Sequence, residues 1–344
     1  MALITSQKIT LYYERFKSID VTFTKEIIQV TGLLTQHVHL KCVSDFWPCV
    51  VYSSSFEGAR VVANIKSGLI EKLQQANNMV SLRFSFKSVD TGNPVTFFVS
   101  SKSVNYAPYG GSKDVALFTL QFTQRPPDDL IEIMGRLLDA NMNSAKRKEE
   151  RILITADTQR KLKLLAKESA VFIQGVPRRC ILRDISFSGA KLIMMGVAKF
   201  LVGKESALRL DFDDPRESFL LRGKFVRAEA VEGRNDLLAL AILYDEAAVP
   251  MGYKIRFNDF IGTVRADSRQ ISAEAEKNAA PRPAPSASPA PASPAPAVSP
   301  APVVPPPPAE VQNAPAKVPP APPEAPQPAS GSGNDMFDLV IPKK

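Results

Sequence analysis

The first 143 residues carry apolar and polar positions in short runs that are typical of β-strands. Val80–Lys87 (VSLRFSFK) alternates strictly, as a strand with one buried and one exposed face does. Helices are predicted at Ser6–Arg15, at Ser67–Ala76, and from Pro126-Pro127-Asp128-Asp129 to about Ala140. β-Branched and apolar residues predict further strands at Ile27–Leu34, Val38–Val43, Val50–Ser53, Arg60–Ile65, Val95–Ser101, Ser103–Tyr106 and Ala116–Phe122.

Residues 144–263 predict a second β-rich domain. It opens in a charged run, Lys146–Arg151, and continues with a strand at Ile152–Thr155 and a basic amphipathic stretch at Thr158–Lys167. Six short strands at fairly regular spacing, closed by a helix near Pro250–Ile261, indicate a small antiparallel barrel. The six strands are predicted at Ala170–Gln174, Arg178–Ser186, Ala190–Met194, Ser206–Asp211, Ser218–Glu229 and Leu237–Asp245.

Composition changes sharply after Thr263. Of the 29 prolines, 21 follow that residue, and alanine, serine and valine fill most of the positions between them. Such a segment has too few large apolar groups to offset the cost of ordering it, about 1–2 kcal/mol per residue for the backbone. Residues 264–344 are therefore predicted to be a disordered Pro/Ala-rich tail. Its apolar end, Met336–Ile341, is expected to belong either to a plain spacer or to a tethered docking peptide.

Charge is distributed unevenly along the 344 residues. Lys+Arg against Asp+Glu is 14 to 12 over residues 1–143, 22 to 16 over 144–263, and 7 to 7 over 264–344, so most of the formal net charge of +8 lies in the second domain. This concentration predicts an anionic partner for that domain. The sequence shows no secretory signal and no apolar run of about 20 residues, and its three cysteines are too few for a disulfide scaffold. A cytoplasmic protein is expected.

A candidate binding motif lies at Asp184-Ile185-Ser186-Phe187-Ser188-Gly189, at the end of a predicted strand. Asp184 and Ser186 are two positions apart, so a strand presents a carboxylate and a hydroxyl side by side. A carboxylate of this kind can accept from the N–H and amino groups of a guanine edge, and Gly189 is expected to adopt a backbone conformation denied to other residues. The alternative is a tight turn in which Asp184 and Ser186 bond their own backbone.

A second candidate is the arginine pair Arg147 and Arg151, spaced RxxxR. Guanidinium groups suit phosphate oxygens and the O6/N7 edge of guanine because their planar fork donates two parallel hydrogen bonds. The spacing occurs three times, also at Arg179/Arg183 and Arg265/Arg269, and about one such pair is expected by chance among 20 arginines. Only Arg147/Arg151 precedes the predicted barrel from a separate segment, and it is therefore preferred.

RxxxR followed by Asp-x-Ser-x-x-Gly at the start of a six-stranded barrel resembles the PilZ family of cyclic-di-GMP receptors, over residues 144–263. The resemblance implies that Arg147 and Arg151 hold phosphates and guanine faces from a flexible arm, with Lys146 as a further basic residue. It also implies that Asp184 and Ser186 bind a guanine and that Gly189 shapes the turn. The 32 residues between Arg151 and Asp184 exceed the expected spacing, and a helical insertion at Thr158–Lys167 would account for the excess.

Residues 1–143 resemble the barrel that precedes PilZ in two-domain receptors of the flagellar-brake type. The predicted fold class is thus mainly β, with two small antiparallel β-barrels, each with a flanking helix, and the tail. The resemblance implies a receptor without catalysis, in which cyclic-di-GMP bound at the domain junction changes the domain arrangement. It further implies control of motility or related behaviour through a protein partner in the flagellar or envelope machinery.

Two other function classes stay open at this stage. The basic second domain is also compatible with an RNA- or DNA-binding β-barrel, although exposed aromatics interleaved with basic residues are not evident. The other alternative is a structural adaptor whose dinucleotide site no longer functions. No catalytic set is recognised, and a metal at His37, His39 and Cys42 is not expected because Cys42 falls on the opposite strand face. No cofactor is predicted.

Overall fold

Two antiparallel β-sheets, each closed on itself, make up most of the protein that the computed structural model describes, which is residues 6–88 and 92–278. The α-helices are α1 (Ser6–Phe16), α2 (Lys25–Thr31), α3 (Leu69–Gln75), α4 (Asp128–Lys146), α5 (Ala156–Leu162), α6 (Ala198–Leu201) and α7 (Met251–Asn278). The strands of the first half are β1 (Val21–Thr22), β2 (His39–Cys42), β3 (Asp45–Ser54), β4 (Gly58–Asn64), β5 (Met79–Lys87), β6 (Pro94–Pro108) and β7 (Val115–Phe122). Those of the second half are β8 (Ile152–Leu153), β9 (Glu168–Ile173), β10 (Val176–Ile185), β11 (Gly189–Met195), β12 (Glu205–Phe212), β13 (Glu217–Val231) and β14 (Arg234–Tyr244).

Each sheet is a six-stranded barrel with one short extra strand. In the first barrel the strands run β3-β2-β5-β6-β7-β4, the pairing of β3 with β4 closes the ring, and β1 adds to β3. In the second barrel they run β10-β9-β12-β13-β14-β11, β10 pairs with β11, and β8 adds to β10. Alternate strand residues face the interior, as in β12, where Ser206, Leu208, Leu210 and Phe212 are buried. The prediction of two antiparallel barrels is confirmed.

The two barrels repeat one another element by element. In each half a short strand, a helix, three strands, a helix, three strands and a closing helix follow in the same order with the same pairings. The register also agrees: Val21 pairs with Ser54 in the first barrel, and Ile152 pairs with Ile185 in the second, with both residues 131 positions further on. Corresponding positions of the two entry segments can therefore be compared directly.

Helix α4 belongs to both halves. It closes the first barrel, packs against α1, and packs against α7, which closes the second barrel in the same way. Buried side chains join α4 to α7: the Asn143 amide donates to Asn258 Oδ1 at 2.8 Å, and the Asn258 amide donates to Asp139 at 3.1 Å. An ion pair of 2.7 Å between Arg136 and Asp259 adds to this contact. The two barrels are thus joined by a packed, hydrogen-bonded helix pair.

Helix α7 also contacts the first barrel directly. Its first residue, Met251, donates its backbone N–H to the Glu26 carboxylate of α2 at 2.6 Å. Met251 and Ile255 pack against the core of the first barrel, while Tyr253 and Phe257 are buried in the second. Unpaired N–H groups at a helix start favour a carboxylate, so Glu26 serves as a cap supplied by the other half of the chain.

Two predicted elements of the sequence analysis are wrong. Ile27–Leu34 was predicted as a strand, but Lys25–Thr31 forms α2, because the Thr24 hydroxyl caps its start and Gly32 ends it in the left-handed conformation. The stretch Thr158–Lys167 is no insertion. Helix α5 ends at Leu162 and occupies the place that α2 holds in the first barrel.

The last helix is longer than predicted. The apolar pattern ends at Ile261, but α7 continues to Asn278 through a segment that the sequence analysis assigned to the tail. Residues 262–266 are exposed, so the sequence has no apolar periodicity there that would predict a continued helix. The predicted Pro/Ala-rich tail and its Met336–Ile341 patch otherwise lie outside the described residues. No described helix has both the length and the apolar character that crossing a membrane requires.

Candidate ligand-binding site

Residues 147–151 form a short arm between α4 and the second barrel, and its last arginine meets the predicted motif. Arg151 Nη1 donates to Asp184 Oδ1 at 2.7 Å. Asp184 lies near the end of β10, where it pairs with Leu153 of β8, so the barrel itself brings the end of the arm beside it. The structure therefore brings together two halves of the motif that are 33 residues apart in sequence.

The Asp184 carboxylate is largely enclosed, whereas its partner is not. The exposed fraction of the Asp184 side chain is 11%, against 42% for Arg151. A bulge between Leu182 and Asp184 interrupts the pairing of β10 with β11 at this point. Bulges of this kind turn a side chain away from the regular alternation of a strand. The site thus contains a shielded acceptor with a guanidinium on its solvent side.

Ser186 and Gly189 form the turn that follows Asp184. The Ser186 hydroxyl donates to the Gly189 carbonyl at 3.1 Å and accepts from the Gly189 N–H at 3.0 Å, and Ser186 is fully buried. For Ser186 this is the tight-turn arrangement that the sequence analysis held as the alternative. The Tyr253 hydroxyl of α7 donates to the Ser186 carbonyl at 2.7 Å, which ties the turn to the closing helix.

Gly189 is required for a reason other than the one the sequence suggested. Its φ angle is not in the left-handed region, so conformational freedom is not what selects glycine there. A Cβ on Gly189 would instead collide with the backbone carbonyl oxygen of Ile242 on β14. Gly58, at the corresponding position of the first barrel, lies equally close to the Leu120 carbonyl oxygen. Close approach of two strands explains both glycines.

The arm is anchored between its arginines. The Ser188 hydroxyl donates to the Lys148 carbonyl at 2.8 Å, and the Lys148 ammonium donates to Glu246 at 2.6 Å. This ammonium holds the pKa of the Glu246 carboxyl below its ordinary value. Arg265, beyond the predicted end of the last helix, donates to Glu150 at 2.8 Å.

Arg147 and Lys146 lie at the junction of α4 with the arm. Lys146 is the last residue of α4, and Arg147 follows it as the C-terminal cap, with its backbone N–H bonded to the Asn143 carbonyl. Within residues 6–88 and 92–278, the Arg147 guanidinium has no hydrogen-bond or ion-pair partner. Arg179 and Arg183, the second RxxxR pair, lie on β10 itself and do not belong to the arm.

A groove lies on the outer face of the second barrel, and neither the arm nor the Ser186–Gly189 turn belongs to its lining. It has a volume of about 1060 Å³ and is lined by residues of β9, β12, β13 and β14. Tyr244 belongs to the lining and connects the groove to the turn, because its backbone N–H donates to the Ser188 carbonyl at 2.8 Å. Burial raises the pKa of the Tyr244 hydroxyl well above its ordinary value. The basic side chains in the lining are Arg209, Arg222 and Lys224.

Sequence reasoning missed the groove residues and the arm anchors. Arg222 and Lys224 flank Gly223, whose Cβ would collide with the Leu243 carbonyl oxygen, so this glycine marks a second close approach of strands. From the sequence, Arg222 and Lys224 are placed only within the predicted strand Ser218–Glu229. Ser188 lies inside the motif at a position that the pattern leaves variable, and no spacing in the sequence distinguishes it.

The histidines lie apart from this site, in the first barrel. His37 is exposed, His39 is half-buried on β2, and Cys42 is buried with its sulfur 3.5 Å from the Lys72 and Met79 carbonyl oxygens. Cys42 therefore faces inward, as the strand alternation predicts. Among the residues that the structure describes, no three His, Cys, Asp or Glu side chains are grouped as metal ligands would be.

Comparison with known families assigns both halves of the chain. The PilZN3 domain matches residues 7–141, and the PilZ domain matches residues 145–259. A protein of Treponema denticola described as a cyclic di-GMP binding protein is 44% identical over 266 residues, which cover 77% of this chain and 85% of the relative.

Solved structures with partial similarity include two proteins in complex with cyclic-di-GMP. PlzA of Borreliella burgdorferi is 24% identical, with 74% of this chain and 98% of that chain covered and a TM-score of 0.34. YcgR of Escherichia coli is 11% identical, with 77% and 99% covered and a TM-score of 0.25. These TM-scores are too low to support a structural comparison. The family assignment therefore depends on the two domain matches and the T. denticola relative. On that basis the chain belongs to the PilZ family, as a two-domain member in which a PilZN3 domain precedes the PilZ domain.

Proposed function

We propose that this protein is a cyclic-di-GMP receptor whose ligand binds between the arm and the second barrel. The observation that carries the proposal is the 2.7 Å contact of Arg151 with Asp184. It joins a group suited to phosphate with a group suited to a guanine edge. The groove, whose lining residue Tyr244 bonds Ser188 of the turn, supplies further basic side chains. The T. denticola relative, described as a cyclic di-GMP binding protein, supports the same ligand.

Each site residue has a distinct role in the proposal. Arg147 and Arg151 bind phosphates and guanine faces from the arm, and Lys146 adds positive charge at the end of α4. Asp184 accepts from the N–H and amino groups of a guanine once Arg151 turns toward the ligand. Ser186 and Gly189 hold the turn that presents Asp184, since the Ser186 hydroxyl already donates to the Gly189 carbonyl and accepts from the Gly189 N–H.

The finer part of the proposal is that binding changes the arrangement of the barrels and so controls motility or a related behaviour through a protein partner. The Tyr253 hydroxyl joins the Ser186 turn to α7, and the Asn258 amide joins α7 to α4 of the first barrel. A ligand that pulls on the turn therefore acts on the helix pair that holds the barrels together. Ligand binding shifts the equilibrium between two arrangements of the barrels only as far as the ligand's affinities for the two arrangements differ.

Calorimetric titration of the full chain with cyclic-di-GMP, GTP and a short oligonucleotide tests the ligand. Saturable binding is expected for cyclic-di-GMP alone. Arg147→Ala and Arg151→Ala each remove a charge-assisted bond, expected to cost about 1.5–3 kcal/mol, or roughly 10- to 150-fold in affinity. Arg179→Ala is the matched control, because Arg179 has the same RxxxR spacing and is exposed on β10 away from the arm. Equal affinity in all variants would disprove the site.

Small-angle scattering with and without cyclic-di-GMP tests the arrangement. A change in the scattering profile at saturating ligand is expected if the α4–α7 contact is displaced. Superimposable profiles would contradict the rearrangement while leaving the ligand assignment intact.

Nucleic-acid binding was expected along the basic second domain, and the observation that favours it as a second candidate lies instead in the first barrel. The Lys41 ammonium lies 5.5 Å from the ring centre of Phe46 and 5.7 Å from that of Phe98, and both rings are exposed. This pairing of exposed aromatics with a basic residue is not evident from the sequence. Bases stack on aromatic side chains of this kind, and lysine attracts phosphates. Saturable oligonucleotide binding that is lost in Phe46→Ala and Phe98→Ala would favour this candidate.

A further inference from the structure

Besides the Arg151–Asp184 pair, the arm of the second barrel is fixed by three contacts that involve neither arginine side chain. The Ser188 hydroxyl bonds the Lys148 carbonyl, and Arg265 of α7 bonds the Glu150 carboxylate, each at 2.8 Å. Glu246 adds a third contact, to the Lys148 ammonium at 2.6 Å. These three contacts hold the arm through Lys148 and Glu150, and they do not use the guanidinium groups of Arg147 and Arg151.

The first barrel shows that contact with this turn is part of the fold. Lys17 lies 131 positions before Lys148. Its backbone carbonyl accepts from the backbone N–H of Phe56 at 3.1 Å. Phe56 belongs to the turn Ser55-Phe56-Glu57-Gly58, which corresponds to Ser186–Gly189 and has the same bond from the serine N–H to the glycine carbonyl, at 2.8 Å in both. In the second barrel the donor is instead a side chain, so one substitution can remove the contact without changing the backbone.

We propose that Ser188 and Arg265 are positioning residues of the ligand site. They hold the arm so that Arg147 and Arg151 are preset for an anionic dinucleotide, and neither contacts the ligand. The proposal rests on the proposed function. A site that is already ordered before binding loses less conformational entropy when the ligand arrives, which raises affinity without any additional contact.

The two residues are expected to differ in effect. Ser188 is half-buried, so its hydrogen bond is shielded from water. The side chains of Arg265 and Glu150 are 44% and 31% exposed, and exposed ion pairs are weak. Ser188 should therefore contribute more than Arg265, and both should contribute less than the arginines of the arm.

Ser188→Ala, with Ser188→Thr as the conservative variant, gives the sharper test. Loss of one neutral hydrogen bond should weaken cyclic-di-GMP binding about 2- to 10-fold, and the threonine hydroxyl should restore it. Without ligand, trypsin should cut the arm faster in Ser188→Ala than in wild type or Ser188→Thr, as read by mass spectrometry at Lys146, Arg147, Lys148 and Arg151. Equal cleavage in all three proteins, or failure of threonine to restore either property, would overturn the role of Ser188.

A charge exchange tests Arg265. Glu150→Arg and Arg265→Glu should each speed cleavage at Lys146, Arg147, Lys148 and Arg151 and weaken binding, and the double variant should recover both. Cleavage after the arginine introduced at position 150 is left out of the comparison. Arg234→Glu is the control, because Arg234 pairs with Asp236 in the β13–β14 hairpin, at the far end of β14 from the site. Lack of recovery in the double variant would overturn the role of Arg265.

The outcomes separate this inference from the proposed function. If the wild-type protein does not bind cyclic-di-GMP, the proposed function fails, and the cleavage comparison still decides whether Ser188 and Arg265 hold the arm. If the wild type binds and the variants match it in both affinity and cleavage, only the positioning role fails.

Discussion

Arg151 and Asp184 form an ion pair of 2.7 Å in which the acid is enclosed and the base reaches solvent. Their exposed fractions, 11% for Asp184 and 42% for Arg151, make the pair energetically asymmetric. Removing the arginine leaves an enclosed carboxylate without its ion-pair partner, whereas removing the carboxylate leaves a guanidinium that water can solvate.

Arg151→Ala should therefore destabilise the protein more than Asp184→Ala does. We expect a loss of about 1–3 kcal/mol in the free energy of unfolding for Arg151→Ala. For Asp184→Ala we expect less than about 1 kcal/mol. Urea denaturation followed by circular dichroism measures both. The reverse order would show that the two side chains do not differ in solvation as the structure indicates.

Gly189→Ala should destabilise the second barrel and weaken ligand binding together. The new methyl group collides with the Ile242 carbonyl oxygen, a backbone atom that can move only with its strand. Overpacking of this kind costs about 1–3 kcal/mol. Thermal unfolding and titration with cyclic-di-GMP measure the two effects.

Gly58→Ala is the matched control for that substitution. Its methyl group would meet the Leu120 carbonyl oxygen in the first barrel, so a similar loss of stability is expected. Affinity for cyclic-di-GMP should stay unchanged, because Gly58 belongs to the barrel without the arm arginines. A loss of affinity in Gly58→Ala equal to that in Gly189→Ala would contradict the assignment of the ligand to the second barrel.

Asn258→Ala should weaken the contact between the barrels. Asn258 is buried, accepts from Asn143 and donates to Asp139, so its removal leaves the buried Asn143 amide without a partner. The expected cost is about 1–3 kcal/mol. In differential scanning calorimetry we expect one transition for the wild type and a broader or split transition for Asn258→Ala. An unchanged transition would indicate that apolar packing alone holds α4 and α7 together.

The three cysteines should resist thiol reagents in the folded protein. Cys42, Cys49 and Cys180 are buried, and burial raises the pKa of Cys49 and of Cys180 to about 12 and also raises that of Cys42. At pH 8 the thiols are then protonated, and the thiolate is the reactive form. Reaction with a disulfide reagent should be slow until urea unfolds the chain. Rapid labelling of the native protein would contradict this burial.

Regular alternation made the barrel strands predictable. Val80–Lys87 was found because each apolar residue of that strand faces the core, and all six strands predicted for the second barrel are present. Ile27–Leu34 was misread because its four β-branched residues outweighed the signals at the two ends of α2, Thr24 and Gly32. Hydrogen bonds of Thr24 and Gly32 cap the two ends of α2, and an analysis of hydrophobic periodicity does not include such bonds.

The site was predictable only as far as its motif. Arg151 and Asp184 were paired through family resemblance, and the structure brings them into contact. Arg265 was set aside because the apolar pattern ends at Ile261 and the rest of α7 is polar. The bond between Arg265 and Glu150 depends on the direction in which α7 leaves the barrel, and that direction cannot be predicted from the sequence.

Because α4 ends one barrel and begins the next, the boundary between residues 143 and 144 falls inside a helix. A fragment that starts at 144 would lack Asp139 and Asn143, the partners of Asn258, and would expose the face of α7 that they cover. Experiments that map function by expressing each half alone should therefore place the cut before Asp128 for the second half. A binding defect in a shorter fragment would report damage to this shared helix rather than the contribution of the deleted barrel.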